Sequence, residues 1–317
     1  MNVRGDSLPK DLFSKNNWKK LKAPLIFFFI FLGLGIWRYQ VTDKIFYFYN
    51  FTYIGAALGI GIYLNSILAK ENKQLGRKIT LLLFGIYMLG YLGIIRKENM
   101  QLEGFFFYLL AGIFAAATLH YLIAKIVGPL IFGRGWCGWA CWTAMVLDFL
   151  PWDNNQRRRK NLSKLRYIHF ILSFIIIIYL WFNNGNIFSD LNLALYWLAA
   201  GNIIYYAIGI GLAYLLKDRR AFCKYICPIP TLQKITARFS LLKIEVEPDK
   251  CIECGLCEEH CPMGIKILKY KNEGKRVLSS ECIFCQNCQD ICPQEAVDVT
   301  VGLDGQYNKE YLYYDRS

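Results

Sequence analysis

The sequence predicts a polytopic α-helical membrane protein, with about six transmembrane helices and a small C-terminal α+β domain. Three observations predict it. The 317 residues are 55% hydrophobic and 16% aromatic but only 19% charged, and their mean hydropathy of +0.26 exceeds what a solvated globular surface allows. Apolar stretches near the roughly 17–25 residues that cross a bilayer recur between short polar connections. All 12 cysteines fall within four short motifs, leaving none as an ordinary core residue.

Six spans are read at 24–38, 45–69, 79–95, 104–127, 167–183 and 191–216. The first, third and fifth are short, with Lys22, Arg38 and Arg166 expected to snorkel from their ends. Segment 1–23 is charged along its length and no small-residue cleavage site follows the first apolar run, so it is expected to remain in the mature protein. Cytoplasmic loops carry the excess of lysine and arginine. The N-terminal segment and the second-to-third and fourth-to-fifth connections hold six, four and eight of these residues, against Arg38, Lys44, Arg96 and Lys97 in the intervening loops. Both termini are therefore expected on the cytoplasmic side of a bacterial-type inner membrane. The net charge of +13, including the cluster Arg157, Arg158, Arg159 and Lys160, is assigned to anionic lipid rather than nucleic acid. Gly55 and Gly59 fit a small-xxx-small helix contact.

Composition shifts at about residue 244. From Glu247 to Asp298 there are ten acidic and six basic residues, in a chain that is otherwise strongly basic. The expected organisation is an N-terminal segment 1–23, a transmembrane domain 24–243, a soluble domain 244–302 and a tail 303–317. Alternating β-branched residues at 243–247 and 297–301 are expected to pair as a small sheet.

Within the soluble domain, Cys251, Cys254, Cys257 and Cys261-Pro262 repeat the spacing of Cys282, Cys285, Cys288 and Cys292-Pro293. Both match the bacterial-type ferredoxin run for a [4Fe–4S] cluster. Three thiolates of a run wrap one cubane while the fourth, beginning a helical departure before proline, reaches the other. Cluster one is thus expected to use Cys251, Cys254, Cys257 and Cys292, and cluster two Cys282, Cys285, Cys288 and Cys261. Zinc is the alternative for a four-cysteine site. His260, between ligands, reads as a solvated loop residue.

Cys137 and Cys141 follow the fourth span, and Cys223 and Cys227 follow the sixth, on the same side of the membrane. Spans three and four with the first pair, and spans five and six with the second, form a parallel repeat that would bring four thiols together as a third redox centre. Two independent thiol pairs, or unligated cysteines, are the alternatives.

On Arg134-Gly-Trp-Cys137-Gly-Trp-Ala-Cys141, Cys223-Lys-Tyr-Ile-Cys227-Pro228 and both ferredoxin runs, the sequence resembles the membrane-bound polyferredoxins of the NapH, NosR and CcoG type. The resemblance implies transmembrane helices, two such cysteine pairs, a cytoplasmic two-cluster domain, and electron movement between the quinone pool and a redox partner protein or subunit. One departure is Trp142, where the family has proline. No flavin-attachment domain is recognisable. The resemblance to CcoG implies a second reading, a metal-ion reductase or cofactor-assembly factor, and a passive scaffold is a third. His120 and His169 are candidates for a haem b axial pair, for quinone binding or for ordinary helix contacts. No phosphate loop, dinucleotide fingerprint or Ser/His/Asp set is recognisable.

Overall fold

The computed structural model describes residues 20–114, 116–152, 162–184 and 190–304. Segment 1–19, the basic cluster at 157–160 and the tail from 305 lie outside the described residues. The chain forms two compact units, Met1–Phe84 and Gly85–Ser317.

In the first unit, α1 (Lys22–Thr42) and α2 (Ile45–Ile67) form a hairpin. Asp43 ends α1 in the left-handed region at φ 52°, and its N–H bonds the Tyr39 carbonyl at 2.8 Å. Small residues allow the close approach that drives helix association in lipid. A Cβ at Gly55 would lie 3.2 Å from the Phe28 carbonyl oxygen, and one at Gly59 3.3 Å from that of Pro24. The next helix begins as α3 (Lys73–Gly85) and continues into the second unit as a π-helical stretch, Ile86–Ile95.

The second unit adds two further long apolar helices, α9 (Leu165–Asn184) and α10 (Leu191–Leu216). The Asp190 carboxylate caps α10 by accepting from the Asn192 N–H at 2.8 Å. Five helices are thus long and apolar enough to cross a membrane among the described residues. The spans expected to be short are not: helices cover Lys22–Thr42, Lys73–Ile95 and Leu162–Asn183. Charged residues such as Arg77, bonded to Gln74 at 2.8 Å, are built into the helical ends where hydropathy had marked the limit.

The span read at 104–127 is not one helix. It is α4 (Leu102–Leu110), then α5 (Ala116–His120) leading through a π-helical stretch (Tyr121–Val127) into α6 (Gly128–Phe132). Gly112, at φ +67°, stops α4. Its N–H bonds the Leu109 carbonyl and that of Ile113 bonds Tyr108, the two bonds of a Schellman cap. Thr118 Oγ1 donates to the Ile113 carbonyl at 2.8 Å, satisfying a backbone oxygen that lipid would leave bare.

Four short helices follow these spans: α7 (Gly135–Trp139) and α8 (Trp142–Leu147), then α11 (Ala221–Tyr225) and α12 (Ile229–Ala237). The C-terminal domain is closed by β1 (Leu242–Val246) antiparallel to β2 (Val297–Val301), with Leu242 opposite Val301 and Val246 opposite Val297. Between the strands lie α13 (Leu256–Glu259), α14 (Ile267–Asn272) and α15 (Asn287–Ile291). The helical turns carry the third cysteines, Cys257 and Cys288, and precede the fourth ones. The expected helical departure at the fourth cysteine is instead a turn.

Candidate functional site

In the C-terminal domain the two cysteine runs have matching backbones. Glu253 and Gly255 flank Cys254 at φ 54° and 77°, and Phe284 and Gln286 flank Cys285 at 54° and 60°. These left-handed positions curl each run so that its first three cysteines line one cavity. Three residues past each fourth cysteine the chain again turns left-handed, at Gly264 (φ 67°) and Glu295 (φ 51°). The turns aim backbone N–H groups at sulfur: Ile265 N lies 3.4 Å from Cys261 Sγ, and Ala296 N 3.3 Å from Cys292 Sγ.

Two cavities result. One, of about 340 Å³, is lined by Cys251, Cys254, Cys257 and Cys292. The other, of about 370 Å³, is lined by Cys261, Cys282, Cys285 and Cys288. Their remaining linings carry no charged residue. His260 is exposed, with Nδ1 3.1 Å from the Leu256 carbonyl oxygen.

A third cavity, of about 620 Å³, is lined by Cys137, Cys141, Cys223 and Cys227. The two loops repeat each other. Arg134 and Arg220 each sit at the N-cap of a five-residue helix, α7 or α11, that carries the first cysteine of its pair. Trp142, in place of proline, is buried, and its indole donates to Asn202 Oδ1 of α10 at 2.9 Å. The first loop is thus tied to a long helix by a side chain.

Buried charges hold the loops together. Arg220 bonds Asp148 at 2.5 Å and the Cys137 carbonyl at 3.2 Å, and its Nη1 lies 3.8 Å from Cys223 Sγ. Lys224 bonds Asp218 at 2.6 Å. Glu281, immediately before Cys282, accepts from Arg134, from Arg166 at 2.9 Å and from Lys234. Lys125 lines the third cavity, its ammonium 4.9 Å from the Trp136 ring centre. The positive-inside count takes lysine and arginine in this region as loop charges. Lys125 is 3%, Arg134 0% and Arg166 1% exposed, so they are interior charges. Arg166 does not snorkel, because Glu281 and the Lys224 carbonyl hold it inside.

The first loop lies against the second ferredoxin run. Trp139 Nε1 donates to the Phe284 carbonyl at 2.8 Å, and a side chain at Gly138 would collide with the Ile283 carbonyl. Cys137 belongs to the same apolar cluster as Ile283, Cys285 and Cys288.

The donor set fits iron–sulfur chemistry. Burial pushes the Cys223 and Cys261 thiols up to about 11 and those of Cys257 and Cys282 to about 12, so without a cationic core they stay protonated at neutral pH. Among the described residues no three His, Cys, Asp or Glu side chains converge tightly enough for a single metal ion. The cysteines instead surround spaces. At the third, Arg134 Nε and Nη2 and Gln101 Nε2 are buried donors without a hydrogen-bond partner, open to an acceptor in that space. The His169 nitrogens meet the Ile226 carbonyl at 3.0 Å and the Tyr205 hydroxyl at 3.4 Å, while the His120 ring packs edge-on to Trp136 at 4.8 Å with its Nε2 buried.

Sequence reasoning found the cysteines and missed the charges. Arg134 lay inside the quoted motif and Glu281 beside a ligand position, yet neither spacing nor composition pairs residues 147 positions apart.

Comparison with known proteins agrees with this layout. A 4Fe-4S dicluster domain family matches residues 243–293, and a 4Fe-4S binding domain family matches 104–163 and 202–247, the stretches that carry the two loops. An uncharacterized protein of Methanocaldococcus jannaschii is 30% identical over 236 residues, 71% of this chain and 86% of that protein. The ferredoxin-type protein NapH of Haemophilus influenzae is 26% identical over 208 residues, 59% of this chain and 68% of its own. Subunit I of the NAD(P)H-quinone oxidoreductase of Gloeobacter violaceus is 32% identical over 83 residues, 23% of this chain and 40% of its own. No solved structure matches. Five membrane-length helices, a dicluster domain and these relatives together place the chain in the NapH-like family of membrane-bound polyferredoxins, iron–sulfur proteins of electron transport.

Proposed function

We propose that the protein relays single electrons among three iron–sulfur centres, between a soluble redox partner at its dicluster domain and a quinone or redox subunit at its membrane end. The observation that carries this reading is that 12 cysteines line three cavities, four to each, with one cysteine of each ferredoxin run crossing to the other. Cys251, Cys254, Cys257 and Cys292 hold the first cluster, Cys282, Cys285, Cys288 and Cys261 the second, and Cys137, Cys141, Cys223 and Cys227 the third. A bound cluster supplies reversible one-electron storage at each position.

The protein's own residues do the rest. The N–H groups of Ile265 and Ala296 stabilise the crossing sulfurs. The two soluble-domain cavities carry no charged lining residue, which keeps their surroundings weakly polar. Gly138 and Trp139, against Ile283 and Phe284, join the loop pair to the Cys282 run, making that run's centre the middle station. Cys254 is exposed beside Ile252, which is 61% exposed, and this edge is where a soluble partner exchanges electrons. With the interior Lys125, Arg134 and Arg166 set aside, the remaining excess of lysine and arginine in alternate connections supports a cytoplasmic dicluster domain at the inner membrane.

Anaerobic analysis of the full-length protein in detergent should give about twelve iron and about twelve sulfide per chain. A quinol should then exchange electrons with the centre at the membrane end. Zinc in place of iron overturns the reading, and reduction of metal ions without exchange with quinol replaces it with the metal-ion reductase.

A further inference from the structure

The three cavities share four cysteines and differ in charge. Those of the dicluster domain have no charged lining, whereas the third is lined by Lys125 and Arg134, and Arg220 reaches Cys223 Sγ. The buried cations around the two loops, Lys125, Arg134, Arg166, Arg220 and Lys224, outnumber the buried carboxylates of Asp148, Asp218 and Glu281 five to three. Among the described residues no carboxylate forms an ion pair with Lys125. Glu103, bonded to Ser173 at 2.7 Å, does not line the cavity.

A lysine ammonium is costly to bury unless something negative shares the space. Four thiolates around an iron–sulfur core provide that charge, and one-electron reduction adds one more negative unit without forming or breaking a bond or moving a proton. In a low-dielectric interior each nearby cation lowers the energy of the reduced form, and net charge and hydrogen bonds to sulfur are among the main controls of cluster potential.

We propose that Lys125, Arg134 and Arg220 set the centre held by Cys137, Cys141, Cys223 and Cys227 at the highest potential of the three, so that an electron entering at the dicluster domain comes to rest at the membrane end. The donor of that electron is a one-electron reductant such as a soluble ferredoxin, which is oxidised as this centre is reduced. The inference rests on the three-centre reading and gives it a thermodynamic direction. Lys125 contributes charge without a carboxylate partner. Arg134 adds donors left unpartnered at the cavity, and Arg220 adds a contact to sulfur.

The test is a reductive titration of the full-length, cluster-loaded protein in detergent, followed by electron paramagnetic resonance. The signal lost in C223S should be the first to appear in the unaltered protein. In Lys125→Met its midpoint should fall by a tenfold change in the one-electron equilibrium or more, 59 mV per tenfold, while Lys125→Arg restores it and the other two midpoints stay in place. If that signal is instead the last to appear, the inference fails while the three-centre reading stands; an unmoved midpoint in K125M likewise overturns it. If no third signal exists in the unaltered protein, both fall together. The order of reduction in the unaltered protein decides the question even if K125M does not assemble.

Discussion

The dicluster domain and the paired membrane loops solve the same problem by opposite means. Each builds four-cysteine cavities from a repeated segment. In the dicluster domain a run of eleven residues supplies three cysteines to its own cavity and one to the neighbouring one, and left-handed turns, N–H···S contacts and a two-stranded sheet complete the frame. The membrane loops each supply only two cysteines, the first of them on a five-residue helix too short to stand alone, and depend on buried ion pairs, Trp142 on Asn202, and the broken fourth span. Local backbone geometry suffices where ligands are close in sequence. Where they are far apart, the interior must carry charge, and that charge becomes available to the chemistry.

The comparison breaks most directly at the cysteines. Cys137→Ser and Cys223→Ser, one from each loop, should abolish the same spectroscopic signal completely and leave both dicluster signals intact. Loss of different signals would mean that the loops act separately, as two thiol pairs.

The seam between the regions comes next. Glu281→Ala leaves Arg134, Arg166 and Lys234 without their shared carboxylate. Removing one member of a buried ionic group costs about 3–5 kcal/mol. Thermal unfolding in detergent should show that loss, with the third centre released before the other two. An unchanged melting temperature would mean that Glu281 does not hold the seam.

The difference between the regions also explains what could be read in the sequence. The x2-x2-x3-Pro spacing, the strand pairing and the long apolar helices are local patterns, and the structure follows them. By hydropathy Gly112 is one more small residue in an apolar run, because a Schellman cap depends on a left-handed conformation that hydropathy does not register. Arg134, Arg166 and Lys125 looked like loop charges because the positive-inside rule counts them without asking whether they face water. Their meaning is set by Glu281 and by the cavity, both distant in sequence.

Gly138→Ala sharpens the comparison at a single atom. The added methyl would meet the Ile283 carbonyl, which belongs to backbone and has little room to move. Overfilling of this kind costs about 1–3 kcal/mol. Here it should also weaken magnetic coupling between the third centre and the centre of the Cys282 run, while each still loads with iron. Coupling unchanged from the unaltered protein would place the route between them elsewhere.

The smallest expected effect is at Gly112, and it separates scaffold from site. A Cβ there meets nothing within 4 Å, so Gly112→Ala adds no clash and tests only the left-handed backbone at φ +67°. That conformation costs an L-residue about 1–2 kcal/mol. The strain falls on the join between α4, which begins at cavity-lining Leu102, and the π-helical stretch that supplies Tyr121 and Lys125. Thermal unfolding should therefore show a modest fall in the stability of the third centre alone, with both dicluster signals keeping their melting behaviour. Equal losses at all three centres would show that the broken span steadies the whole unit, and that the two regions are less independent than their construction indicates.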